Sequence, residues 1–175
     1  AKTMISDSYR LDEVGIAATR LNATIIQQIL LDIGIDVAPV IPTTTEQAAE
    51  LLAKHHLVIM GGTTPGHTTD AVAVAFARDA GAGHCIIATN VSHVFDKDPR
   101  EHEDAQSFSS MTFDQLAEIT GIDEPLAPGA SAVIDPIAVG WAKKAAITLA
   151  VLDGRNMLLL EEALDGKSFE GTLIQ

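Results

Sequence analysis

One cysteine, Cys85, stands in a chain of 175 residues, so no internal disulfide can form. It lies in the apolar run Cys85-Ile86-Ile87-Ala88, the setting of a buried, inert thiol rather than a reactive one. Aromatic residues make up only 4% of the chain, so a core must rest on Ile, Leu, Val and Ala. The 47% hydrophobic content is enough for one sizeable core of that kind. Basic residues are scarce as well, 11 against 24 acidic ones, for a net charge of -13 at pH 7. Such a surface repels nucleic acid, and no basic cluster tracks a phosphate backbone. The acidity fits plain solubility, with adaptation to a salty cytoplasm as the sharper alternative.

No uninterrupted run of about eighteen apolar residues occurs, so no membrane span is expected. The opening Ala1-Lys2-Thr3-Met4-Ile5 lacks the basic and apolar regions of a signal peptide. His55, His56, His84, His93 and His102 show no metal-ligand spacing with Cys85 or with each other, so no metal site is expected. Together these absences point to a cytoplasmic protein of one domain, residues 1–175, without nucleic-acid or membrane partners.

What is present is an alternation of two periods. Helical spacing runs from about Asp12 to Leu31, with Val14, Ala18, Leu21, Ile25 and Ile29 on one stripe. Residues 37–41 then form a short apolar run with the character of a strand. Thr45 is placed to cap a helix through Ala53, and residues 57–60 have the character of a buried strand. Helices are expected at 69–80, 113–120, 136–145 and 157–164, and strands at 84–89, 148–152 and 171–174. Residues 90–110 look polar and irregular, with the acidic run 101–104 a solvated loop, and a Pro/Gly loop precedes Asp135. The strands do not alternate apolar with polar residues, which argues for cover on both faces. The expected fold is therefore α/β, a three-layer α/β/α sandwich with a mostly parallel central sheet.

The segment that carries chemistry is Gly61-Gly62-Thr63-Thr64-Pro65-Gly66-His67-Thr68-Thr69-Asp70. It joins a buried strand to a helix. Glycines let backbone approach a ligand, and a helix start supplies free N–H groups and a positive dipole end for an anion. Thr68 and Thr69 can add hydroxyl donors, and His67 can assist as a cation or as a neutral hydrogen-bonding ring. An ordinary capped turn is the plainer alternative. The spacing matches neither GxGxxG nor GxxxxGK[ST].

GGTTPGHTTDAVA, then Ala88-Thr89-Asn90-Val91, then Phe95-Asp96-Lys97-Asp98-Pro99, resemble consecutive motifs of the archaeal-type UMP kinases in the amino-acid kinase family. Leu11-Asp12-Glu13-Val14-Gly15-Ile16 and Thr19-Arg20-Leu21-Asn22-Ala23 resemble that group's helix after its second glycine loop. The stretch 131–138, SAVIDPIA, and the closing Phe169-Glu170-Gly171-Thr172-Leu173-Ile174 fit too. The resemblance implies transfer of a phosphoryl group from ATP to UMP with Mg²⁺, in pyrimidine nucleotide synthesis, by a homo-oligomer (a hexamer in that group). It places UMP against Asp12, Thr63, Thr64, Pro65, Gly66, His67, Thr68 and Thr69, with Asp12 on the ribose. It places ATP against Thr89, Phe95 and Asp98, and Asp135 beside the transferring group. For Asp12 a helix cap is the alternative. For Asp135, followed by Pro136, a cap and a catalytic role are compatible.

Two departures stand out: Ser92-His93 where the group carries Asp-Gly, and Phe95 where it carries Tyr. Losing the tyrosine hydroxyl keeps an aromatic face but removes a hydrogen bond. The resemblance also implies an earlier strand with a lysine and a glycine–serine loop, and then a second glycine loop. Neither occurs in these residues, and Lys2 is too isolated to substitute. The chain is thus expected to be an N-terminally incomplete kinase domain. The alternatives are a non-catalytic nucleotide-binding or storage protein on the same fold, or a relative acting on a carboxylate or carbamate.

Overall fold

Asp7 accepts the Tyr9 N–H at 3.0 Å and caps α1, Ser8–Asp32, in the computed structural model, which describes residues 5–121 and 133–175. Lys2 and the Pro/Gly loop ahead of Asp135 fall largely outside that description. The chain divides into two compact units, Ala1–Gly81 and Ala82–Gln175.

In the first unit, α1 packs by a face the apolar spacing did not single out. Ala23 and Gln27 are its buried residues, and the Gln27 amide donates to the Ala38 carbonyl at 2.7 Å. The stripe Val14, Leu21, Ile25 and Ile29 faces solvent instead, with Leu21 62% exposed. Periodicity located the helix but misassigned its packing side, because small and polar residues make the close contacts. By length and composition α1 is also apolar enough to cross a membrane, although polar and charged residues interrupt its apolar run. Thr19, Arg20 and Gln27, the residues that break the run, are those it uses within its own unit.

Helix α2, Thr45–Leu52, is capped by Thr44, not by Thr45 as the sequence suggested. Thr45 is buried and its hydroxyl donates to Asp79 at 2.6 Å. The Arg78 guanidinium, and then this hydroxyl, hold the Asp79 carboxyl below its ordinary range. Helix α3, Thr69–Asp79, buries Ala71, Val72, Val74, Ala75 and Ala77, and packs against α2. Ala38, Ala48 and Val58 form the local core, flanked by Leu51, Met60 and Phe76. The two strands expected at 37–41 and 57–60 reduce to one parallel bridge, Val37 to Leu57. The Ala38 N–H donates to the Leu57 carbonyl at 2.9 Å, while the Ala38 carbonyl accepts the Gln27 amide of α1.

The second unit holds β1 (His84–Thr89), β2 (Val94–Phe95), β3 (Ser107–Phe108), β4 (Ser110–Met111), α4 (Phe113–Thr120), α5 (Pro136–Ala145), β5 (Thr148–Asp153), α6 (Met157–Leu164) and β6 (Thr172–Ile174). Its four-stranded sheet runs β1-β5-β6-β4, parallel except between β5 and β6. Strand β5 is the central one: Leu149, Val151 and Leu152 are wholly buried. On the edge strand β1, Cys85 is half-buried rather than buried. Gly171 turns the chain into β6 where a Cβ would lie 2.4 Å from the Val151 carbonyl oxygen, so no side chain fits. Residues 90–110, expected to be irregular, contain the β2–β3 hairpin and β4. One buried hydroxyl secures the hairpin: Thr172 accepts the Val94 N–H at 2.9 Å and donates to the Phe108 carbonyl. Two-residue strands are too short for any period to reveal.

Candidate functional site

Residues 61–69 cross the first unit between its second extended segment and α3, and their shape is set by α1. Gly61 lies against α1 so closely that a Cβ would sit 2.7 Å from the Arg20 backbone nitrogen. At Gly62 it would sit 3.0 Å from the Ile16 side chain. These two glycines therefore serve helix-to-loop contact, a role the sequence did not single out, and both also line the cavity described next. Thr19 Oγ1 accepts the Gly62 N–H at 2.8 Å and donates to the Ile16 carbonyl at 2.9 Å. Arg20 donates to the carbonyls of Gly62 at 2.9 Å and Thr63 at 3.2 Å. Further on, Gly66 has φ +87°, a conformation that favours glycine, and Asp12 accepts its N–H at 2.7 Å. Thr68 caps α3 by accepting the Ala71 N–H.

A cavity of about 520 Å³ opens here. Its walls are α1 (Asp12, Gly15, Ile16 and Thr19 among others), the segment through Val58, Met60, Gly61 and Gly62, and the start of α3 with His67, Thr68, Thr69 and Phe76. Of the residues proposed from sequence, Asp12, His67, Thr68 and Thr69 line it. Thr63, Thr64, Pro65 and Gly66 belong to the same loop without lining the cavity. Asp12 sits inside α1 and is not its cap, so the capping alternative fails on geometry. Among the described residues nothing donates to its Oδ1, which leaves one carboxylate oxygen for a ligand. Gly15, one turn on, has no atom within 4 Å of where its Cβ would be. Neither backbone conformation nor packing requires glycine there.

The second unit has its own cavity of about 410 Å³, at the C-terminal end of β1. Thr89, Phe95 and Asp98 all line it, together with Lys97, Arg100 and Ile119. Phe95 meets His93 edge-on at 6.4 Å between ring centres. Asp98 is not a free carboxylate. Arg100 grips it through the guanidinium at 2.8 Å and 3.0 Å and through its backbone N–H at 2.9 Å, which holds the pKa at about 2. Lys97 reaches Asp104 at 2.6 Å. Asp153, at the end of β5, is likewise held at about 2 by Arg155, which also donates to the Asn90 carbonyl. Arg155 thereby ties the ends of two parallel strands, where ligands of α/β sheets commonly sit.

Asp135, 3% exposed, is the N-cap of α5: its Oδ1 accepts the Ile137 N–H at 2.9 Å, and Pro136 takes the first helical position. The capping half of its expected role has its geometry. Sequence reasoning assigned no task to Gly15, Arg20, Lys97, Arg100 or Arg155. The signal available for Gly15 was a glycine inside a helical period. The arginines gave none, because their partners are backbone carbonyls and near neighbours.

Residues 1–153 match the Amino acid kinase family. The chain is 39% identical over 169 residues to the uridylate kinase of Methanocaldococcus jannaschii, covering 95% of this chain and 73% of that protein. It is 37% identical over 174 residues to the uridylate kinase of Halorubrum lacusprofundi, covering 98% and 70%. The crystal structure of uridylate kinase from Archaeoglobus fulgidus superposes on the whole chain with a TM-score of 0.83 and 33% identity, over 76% of its own length. UMP kinase from Ureaplasma parvum shares the fold at a TM-score of 0.76 and 20% identity, covering 97% of this chain and 72% of its own. The α/β layering expected from the sequence is thus that of these solved relatives. With the glycine–threonine loop, the helix that shapes it and the matched length all agreeing, the chain belongs to the amino acid kinase family, among its archaeal-type uridylate kinases.

Proposed function

We propose that this chain is a UMP kinase domain that seats UMP in the cavity of its first unit and ATP in that of its second, for the reaction ATP + UMP → ADP + UDP. One observation carries the reading. Asp12 and the glycine–threonine loop, 54 residues apart in sequence, meet at a single cavity. The open oxygen of Asp12 suits a ribose hydroxyl, which donates to it. The loop and the capped start of α3 offer N–H groups and hydroxyls, while Val72 and Phe76 give the cavity an apolar floor. Relatives that bear the name uridylate kinase support the acceptor assignment.

In the second unit, Phe95 offers an aromatic face to a base, and Lys97 and Arg100 would turn from their partners Asp104 and Asp98 toward a phosphate chain. Phosphoryl transfer asks the protein mainly for alignment and charge neutralisation. Mg²⁺, when bound with the nucleotides, would supply part of that charge neutralisation. Among the described residues no group of three or more His, Cys, Asp or Glu could hold a metal ion. Asp135 caps α5 and, in this proposal, orients the reacting centre. The exposed stripe of α1 supports self-association into a homo-oligomer, with the cytoplasm as the place of work.

The test is calorimetric titration of UMP, CMP and AMP into this chain, alongside UDP formation with ATP and Mg²⁺. Selective UMP binding with UDP formation is the expected result. Binding without turnover favours a nucleotide-holding protein, and turnover of CMP or AMP alone overturns the UMP assignment.

A further inference from the structure

Arg20 lies half-buried beneath the acceptor loop and spends its guanidinium on backbone alone. Nε donates to the Gly62 carbonyl at 2.9 Å, and one terminal nitrogen reaches the carbonyls of Thr63 at 3.2 Å and Thr43 at 3.5 Å. No carboxylate among the described residues pairs with it. The loop it holds belongs to neither helix nor strand, so no ladder fixes its peptide planes. A trans peptide is planar, with C=O and N–H pointing opposite ways. Drawing the Gly62 and Thr63 carbonyls toward Arg20 therefore turns the N–H groups of Thr63 and Thr64 away from it. Neither N–H donates to any described residue. Backbone donors left unspent on the loop whose two ends line the cavity, with a cation behind them, suit oxygen acceptors carrying negative charge or partial charge.

We infer that Arg20 is a positioning residue of the acceptor site, fixing the Thr63 and Thr64 N–H groups to receive oxygens of the acceptor nucleotide. This rests on the proposal that UMP occupies the first unit's cavity. Lysine cannot replace the planar fork, because a single ammonium cannot hold two successive carbonyls in one plane. A residue that merely glued loop to helix would change stability without a selective effect on these two amides.

The experiment compares the unmodified chain with Arg20→Met, which keeps much of the stem, and Arg20→Lys, which keeps the charge. Each is titrated with UMP, uridine and ribose 5-phosphate, followed by amide NMR. In the unmodified chain UMP is expected to shift the Thr63 and Thr64 amide signals. In Arg20→Met UMP affinity should fall about tenfold or more, the scale of losing charge-assisted hydrogen bonds, and those shifts should vanish. Arg20→Lys should fall between, and it serves alone if Arg20→Met does not fold cooperatively. Loss of affinity shared with uridine assigns the oxygens to the base, and loss shared with ribose 5-phosphate assigns them to the phosphate; both support the inference. UMP affinity within about twofold of the unmodified chain in a folded variant overturns it, as does UMP binding that leaves both amides unmoved. Failure of the unmodified chain to bind UMP overturns the parent proposal instead.

Discussion

Replacing Gly15 by alanine should make the protein more stable and worse at holding its nucleotide. Gly15 is in the middle of a 25-residue helix, where alanine is favoured by about 1 kcal/mol through the lower entropy cost of ordering it. Nothing in the folded chain opposes the added methyl, since no atom lies within 4 Å of its position. For a protein of this size the gain corresponds to a rise in Tm of about 2–4 °C. The methyl would, however, stand in the wall of the cavity one turn from Asp12, on the same side of α1. A nucleotide whose ribose reaches Asp12 must retreat from it, and UMP affinity should drop at least about tenfold, or about 1.4 kcal/mol. Circular dichroism melting and UMP calorimetry on the same variant measure both effects. A gain in stability with unchanged affinity would refute the idea that ligand comes close to α1 at this point. A loss of stability would refute the premise that the space beside Gly15 is free.

Three further outcomes follow from the same geometry. Gly61→Ala should behave oppositely, costing about 1–3 kcal/mol in denaturant unfolding, because its Cβ meets the backbone of Arg20 at 2.7 Å and 2.9 Å. Asp135→Asn preserves an equally good cap, so stability should stay within about 0.5 kcal/mol while UDP formation falls far more than UMP affinity; equal losses would leave Asp135 only a cap. Arg155→Ala should return the Asp153 carboxyl from about 2 toward its ordinary 3.8, seen in a carboxyl-carbon NMR titration. The sign follows from the depression. The Asp153–Arg155 pair contributes above pH 3.8 and is lost as pH falls through about 2, so only the unmodified chain loses it in that range.

Much of the second unit was legible in advance because its elements obey simple local rules. Thr112 and Gln115 close a capping box at the start of α4, Asp135-Pro136 opens α5, and the apolar run of β5 is buried on both faces. The first unit was harder. Its helix α1 presents an apolar stripe outward and packs through Ala23, Gln27, Thr19 and Arg20, so hydrophobic spacing pointed to the wrong face. The candidate site divided along the same line. Asp12, His67, Thr68 and Thr69, which line the cavity, drew notice in the sequence because carboxylates, imidazoles and hydroxyls announce their chemistry. Gly15 contributes empty space to the cavity wall, and Arg20 makes contacts to carbonyls that every sequence possesses. Neither leaves a pattern that composition or spacing can show.

Pro39 and Pro42 have a consequence for the extended backbone of the first unit. Extended backbone with open N–H and C=O groups is a template on which another chain can add a strand of its own. Val37 and Leu57 make their single bridge, and Pro39 and Pro42 on the first segment each lack a hydrogen that such an addition would use. Substituting both prolines with β-branched residues would restore that row of donors. The first unit would then gain a surface for strand-to-strand growth between molecules, a route to fibres that the natural sequence keeps closed.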